Sequence, residues 1–190
     1  MCSNYLPASL DSLLPFGRGA VGFGYGAECF PQRLAPFLAN DSASWRLGVF
    51  GLMPHWAKLD LARHTYNARS ETVATLPSFR AAWRRRQLAV IPVQAFGLAG
   101  IWELRRGEDG GEQWSFSMLT INADEHPVMS RFHAPGKEKR SVVMLDDAVW
   151  DDWLQARDEA DVRAFLRPFD PGLMRAEADP RQGRAQGSVT

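Results

Sequence analysis

The longest unbroken apolar stretch is "LAVIPVQAFGLAGIWEL", Leu88 to Leu104. Its β-branched residues and lack of polar positions predict strands buried on both faces. "RRGEDGGEQ" follows as a hairpin turn. "WSFSMLTIN" reads as the returning strand, with Trp114, Phe116, Met118 and Ile121 only roughly in phase. Upstream, "WRLGVFGLMPHW" is aromatic and β-branched enough for a strand ended by Pro54. "RSVVMLD" predicts one more short strand. In "LPSFRAAWRRRQ", Phe79 and Trp83 stand at helical spacing behind Ser78, a candidate N-cap. "DAVWDDWLQA" and "EADVRAFLRPF" are amphipathic, and the second must stop before Pro168. The first forty residues are rich in Gly and Pro, and "GRGAVGFGYGAECFP" reads as loop with at most one short strand. From Pro171 onward apolar residues thin out, which predicts a loose tail over 171–190 behind one domain over 1–170. No internal repeat is present. The pattern specifies an α+β fold with a strand-rich core and helices at its edges.

Composition narrows the function classes. The chain has 190 residues, 45% of them apolar, enough for a real core. No run of 18 apolar residues occurs, so no transmembrane helix and no membrane partner are expected. The start lacks the basic and apolar regions of a secretory signal. Cys2 and Cys29 are the two cysteines, too few for a disulfide framework, and free thiols in a reducing cytoplasm are expected. Basic and acidic residues balance at 22 each, so distribution matters more than sum. Arg80, Arg84, Arg85 and Arg86 cluster, as do Arg131, Lys137, Lys139 and Arg140, while acids collect in "LDDAVWDDWLQARDEAD". These patches fit either a basic binding face or ordinary solvated surface.

Four places could carry chemistry. Cys2 follows Met1 directly. If Met1 is removed, Cys2 gains a free α-amine beside its thiol, and this 1,2-aminothiol can close a thiazolidine ring on an aldehyde carbon. The ordinary alternative is a cysteine at a frayed terminus. "HTYNARSETV" gathers Asn67, Arg69, Ser70 and Glu71. Asn can orient a carbonyl and Arg can pair with phosphate, but a capped turn would also use these residues. "HPVMSRFHAPGKEKR" places His133 beside Arg131 and a basic cluster, suited to acid–base work on an anionic substrate or to an exposed loop. His126 and His133 do not have zinc spacing, and no metal or other cofactor is expected. A glycine spacing resembling a dinucleotide fingerprint lacks the surrounding βαβ unit. Trp56, in the turn-like "LMPHWAK", could stack on an unpaired base.

Taken in order, "MC" at the start, "GLMPHWAK", "NARSET", "PSFRAAWRRRQ", "AGIWE", "SMLTINA" and "MSRFHAPGKEKRSVVML" resemble the SRAP family, named for SOS response-associated peptidase, across Met1 to Trp153. The resemblance implies a barrel-like core with a cationic cleft for single-stranded DNA containing abasic sites. It implies Cys2 as the nucleophile that crosslinks to the abasic sugar, with Asn67 and His133 beside it. It implies DNA contacts by Trp56, Arg69, Ser70, Arg80, Arg84 and Arg140, in a monomeric cytoplasmic protein that joins the nucleoid when bound to DNA. Two departures stand out. The "APGKEK" insertion separates His133 from Arg140, where the family commonly has His-Asp-Arg. The family's glutamate-bearing segment and the strand after it are missing between "LAVIPVQAF" and "GLAGIWE". Neither Glu103 nor Glu71 matches that glutamate, and the loss predicts an exposed sheet edge and a missing positioned acid. Three functions follow: covalent capture of abasic sites, DNA or lesion binding without a covalent step, and thiol peptidase chemistry, including removal of the chain's own residue before Cys2.

Overall fold

The computed structural model describes residues 3–16, 18–19, 24–94, 96–107, 110–132 and 134–176. In chain order the regular elements are α1 (Leu10–Leu13), β1 (Leu34–Ala39), β2 (Arg46–Phe50), β3 (Asn67–Arg69), α2 (Arg80–Arg84), β4 (Leu88–Pro92), β5 (Gly97–Arg106), β6 (Glu112–Asn122), β7 (Arg140–Val142), β8 (Met144–Leu145), α3 (Trp150–Leu154) and α4 (Glu159–Ala164).

Five of these strands close on themselves. β1 pairs antiparallel with β2 and β4, β4 with β5, and β5 with β6, while β6 runs parallel to β2 at Val49–Phe50. Alternation along each strand then gives two cores. Phe37, Phe50, Trp102, Phe116 and Met118 fill the barrel, with Tyr5 and Tyr66 packed against them. Leu38, Val90, Ile101 and Leu119 point outward into a second core beneath the helices, with Trp83 of α2 and Trp150 and Trp153 of α3. Trp153 Nε1 donates to the Ala89 carbonyl at 2.8 Å, tying α3 to β4. Gly97 lies under Trp150, where a Cβ would come within 2.5 Å of the indole nitrogen. This architecture is the strand-rich α+β barrel that the sequence predicts. No helix among the described residues is long and apolar enough to cross a membrane.

Several local expectations change. β2 stops at Phe50, well before Pro54, because Gly51 adopts φ +126° and its backbone abuts Ala62, where a Cβ would meet the carbonyl oxygen at 2.1 Å. Ser78 is not the N-cap of α2; Phe79 holds that position and no side chain caps it. The single strand expected in "RSVVMLD" is two, because the segment crosses between neighbours. β7 pairs with β6, β8 pairs with β5, and Val143 between them bonds to Leu119 and Ala99. β1 was hidden by Pro36, but β4 joins only from Leu38, so one edge of β1 carries no ladder at the proline. The exposed sheet edge expected at this point is not found among the described residues. The turn after Pro92 closes with a Val93 N–H to Phe96 carbonyl bond at 2.9 Å, and β4 pairs with β5 directly.

The two ends of the described chain are anchored. Tyr5 and Cys29 exchange backbone hydrogen bonds, at 3.1 and 2.8 Å, and Ala8 N–H donates to Pro92 at 3.1 Å. Near the C-terminus, Nδ1 of buried His126 accepts N–H bonds from Val128 and Met129, both at 3.1 Å, so its proton sits on Nε2 and is donated to the Phe169 carbonyl at 3.0 Å. Pro171–Leu173, inside the stretch expected to be loose, forms a 3-10 turn.

Candidate functional site

β3 is short, and its alternation decides what it presents. Ala68 is fully buried in the outer core, so Asn67 and Arg69 face the other way. Asn67 pairs with Met118 of β6, a barrel-filling residue, and is 9% exposed, whereas Arg69 reaches solvent. Half-buried Ser70 continues the ladder through its N–H to Thr120 at 2.9 Å.

Arg140 arrives beside them because β7 pairs antiparallel with the same end of β6, Thr120 opposite Val142 and Asn122 opposite Arg140. Its side chain is 2% exposed. Both terminal nitrogens donate to Glu71, at 2.9 Å each; one also reaches Glu138 at 2.8 Å, the other the Thr120 carbonyl at 2.7 Å. The second oxygen of Glu138 accepts from Arg69 at 2.8 Å. Two arginines and two glutamates thus form one chain of ion pairs, with the cation of Arg140 inside and the carboxylates at the rim. The Arg140 guanidinium beside Glu71 holds that carboxyl below the usual range.

The N-terminal segment reaches this region through the barrel's aromatic filling. The Tyr5 ring meets Phe50 edge-on at 5.3 Å, and Phe50 meets Tyr66, the residue before Asn67, at 5.6 Å. Cys29 is a buried free thiol, and burial pushes its pKa up to about 11 with a partial offset from Tyr5. A thiol so placed stays protonated at neutral pH and is a poor nucleophile. Cys2 and His133 lie outside the described residues.

The remaining candidates sit elsewhere. Trp56 is 55% exposed in the turn closed by Ala57 N–H to Pro54, beside a shallow hollow of about 390 Å³ lined by Lys58, Leu61 and His64. Arg80 and Arg84 are exposed on α2 and form no ion pair among the described residues. The structure therefore gathers Asn67, Arg69, Ser70 and Arg140 at one end of β6 and leaves Trp56, Arg80 and Arg84 as separate surface groups. It adds two residues that the sequence did not assign to the site as partners of the arginines, Glu71 and Glu138. Glu138 gave no signal, being one acid between two lysines; Glu71 was visible in "NARSET" but its partner, 69 residues away, was not. Among the described residues no cluster of His, Cys, Asp and Glu could hold a metal.

A hollow of about 730 Å³ lies away from this cluster, between α1, the β4–β5 turn and the Phe169–Arg175 segment. Glu103 on β5 is also apart. It is 4% exposed and bound by Arg85 at 2.7 and 2.9 Å. Burial pushes its carboxyl up, against the pull of Arg85 and His55.

Comparison with known proteins places the chain and its fold among relatives. The chain is 26% identical over 196 aligned positions to the abasic site processing proteins YoqW and YobE of Bacillus subtilis, covering 88% of this chain and 83% and 84% of theirs. A Bordetella bronchiseptica crystal structure superposes with TM-score 0.80 at 30% identity, covering 90% of this chain and 96% of the other. A Bacteroides thetaiotaomicron structure shares the fold, TM-score 0.75 at 18% identity over 90% and 89% of the two chains. The sequence pattern of the SOS response associated peptidase (SRAP) family matches residues 27–97 and 93–179, two stretches that meet at the β4–β5 turn. The chain therefore belongs to the SRAP family.

Proposed function

We propose that this protein processes abasic sites in DNA, and that it does so by covalent capture in single-stranded DNA. Removal of Met1 frees the Cys2 amine; amine and thiol then add to the ring-opened sugar aldehyde, with loss of one water, to give a thiazolidine. Asn67 holds the sugar, and His133 serves as acid and base. Arg69 and the Ser70 hydroxyl supply phosphate contacts that carry no sequence preference. Trp56, Arg80 and Arg84 extend the DNA path, while Arg140 acts from inside by positioning Glu71 and β7.

The observation that carries this reading is the aromatic path from Tyr5 through Phe50 to Tyr66. Cys2 lies three positions before Tyr5, a chain reach of about 10 Å, which is the length available to bring its thiol toward the face bearing Asn67. Cys29, buried and protonated, does not compete for the aldehyde. Intact mass of the purified chain, alone and mixed with an abasic oligonucleotide, tests it. Loss of Met1 and a mass equal to protein plus oligonucleotide minus water are expected, with no adduct for Cys2→Ala. An adduct that persists in Cys2→Ala overturns the covalent reading.

One observation favours a second reading. The β4–β5 turn, Val93–Phe96, carries no carboxylate where the family pattern is interrupted, and Glu103 is occupied with Arg85. A chain without that acid can bind lesion DNA and react slowly or not at all. Salt-sensitive binding with no mass adduct distinguishes this case.

A further inference from the structure

We propose that Glu138 is an internal competitor for DNA phosphate, occupying Arg69 in the free protein and yielding it when the backbone of a single strand arrives. The inference rests on the DNA-binding part of the reading above. Arg69 is the solvent-reaching cation of the cluster, and its guanidinium is engaged by the Glu138 carboxylate at 2.8 Å. Arg140 does not need Glu138, because Glu71 binds it through two bonds and Thr120 through two more. Glu138 is thus the supernumerary anion. It neutralises the one arginine that solvent can reach, and it presents its oxygens to Arg69 and Arg140 as a bridging phosphate would.

The surroundings permit exchange. Glu138 and Arg69 are 38% and 45% exposed, so breaking their contact strands neither charge in a dry interior. Glu138 sits on an exposed loop whose Gly136 takes φ +73° with open space around it. The backbone on its far side is held, since Lys139 N–H donates to Asp124 at 2.7 Å. A side-chain rotation at Glu138 therefore suffices, with β7 left in place. Glu71 keeps Arg140 compensated throughout.

The test is fluorescence anisotropy with an undamaged oligo-dT strand across a salt series, on wild type, Glu138→Gln, Arg69→Gln and the double variant. Glu138→Gln should tighten binding about three- to tenfold at low salt. It should also steepen the log–log salt slope by about 0.7, the value of one added phosphate contact on a single strand. The gain should vanish in the Arg69→Gln background. Unchanged or weaker binding by folded Glu138→Gln, or a gain that survives Arg69→Gln, overturns the proposal. Thermal melting of each variant shows that it is folded. Abasic capture is read separately by mass: an adduct without the Glu138→Gln gain removes the competitor and leaves the capture reading, the gain without an adduct does the reverse, and no binding by any variant removes both.

Discussion

Two arginine–glutamate networks brace this barrel, and they are built inside out relative to each other. At Arg85–Glu103 the carboxylate is buried, 6% exposed, and the arginine lies at the surface, 55% exposed. At Arg140–Glu71–Glu138–Arg69 the arginine is buried, 2% exposed, and the carboxylates reach solvent at 50% and 38%. The difference fixes what each can exchange. A buried anion faced by an outer cation offers nothing to DNA, so Arg85–Glu103 is a staple between α2 and β5. A buried cation ringed by outer anions leaves its partners replaceable by another anion, which is the property that a phosphate-binding site needs. The proton follows the same logic, pushed up on Glu103 by burial and held down on Glu71 by Arg140.

The contrast can be broken from either side. Arg140→Ala should cost most. It empties a buried position, removes the hydrogen bonds that Arg140 gives to Thr120 and Glu71 and one of the two arginine contacts of Glu138, and should lower stability by about 2–4 kcal/mol, each kcal/mol being roughly 2–4 °C in Tm for a chain of this size. Arg85→Ala should cost less, about 1–3 kcal/mol near pH 7, by leaving the Glu103 carboxylate buried without its cation. Glu103 has a raised folded-state pKa, so its favourable contribution is complete below the unfolded value of about 4.3 and is lost as pH rises through the folded one. The Arg85→Ala penalty should therefore shrink on acidification, as urea melts at several pH values would show. Glu71 has the opposite sign: its depressed pKa gives stability present above about 4.3 and lost as pH falls through the folded value. Glu71→Gln should cost under about 1 kcal/mol at pH 7, because the carboxylate is half exposed, and should flatten the acid limb of the stability profile. An acid limb that keeps its wild-type slope would remove Glu71 from the account. Smallest in stability is Glu138→Gln, within about 0.5 kcal/mol, although it should change DNA affinity more than any of the others increase it.

The β5–β6 hairpin was legible because a continuous apolar run, a glycine-rich turn and an alternating return strand all agree. The strand β1 was not, since a proline at position 36 argues against a strand unless one knows that its neighbour starts two residues later. "RSVVML" was legible as extended chain but not as two strands, because the break at Val143 is set by which neighbour is in reach and not by any residue in the segment. At the site, Asn67 and Arg69 stood out by residue type. Arg140 was read as a surface cation, since nothing local tells a buried arginine from an exposed one; burial came from β7 pairing with β6. Glu138 had no local mark at all.

The histidine at position 126 makes the far end of the chain part of the machine. Its ring spends one nitrogen on two amides of its own turn and the other on a carbonyl 43 residues away. A protein cut just before Phe169 would leave an imidazole hydrogen pointing at nothing and would uncover one wall of the 730 Å³ hollow, whereas one ending after Ala176 keeps the clasp shut. The clasp closes at Phe169, just inside the limit at position 170 where the apolar residues thin out, so a minimal version has almost no room to be trimmed further.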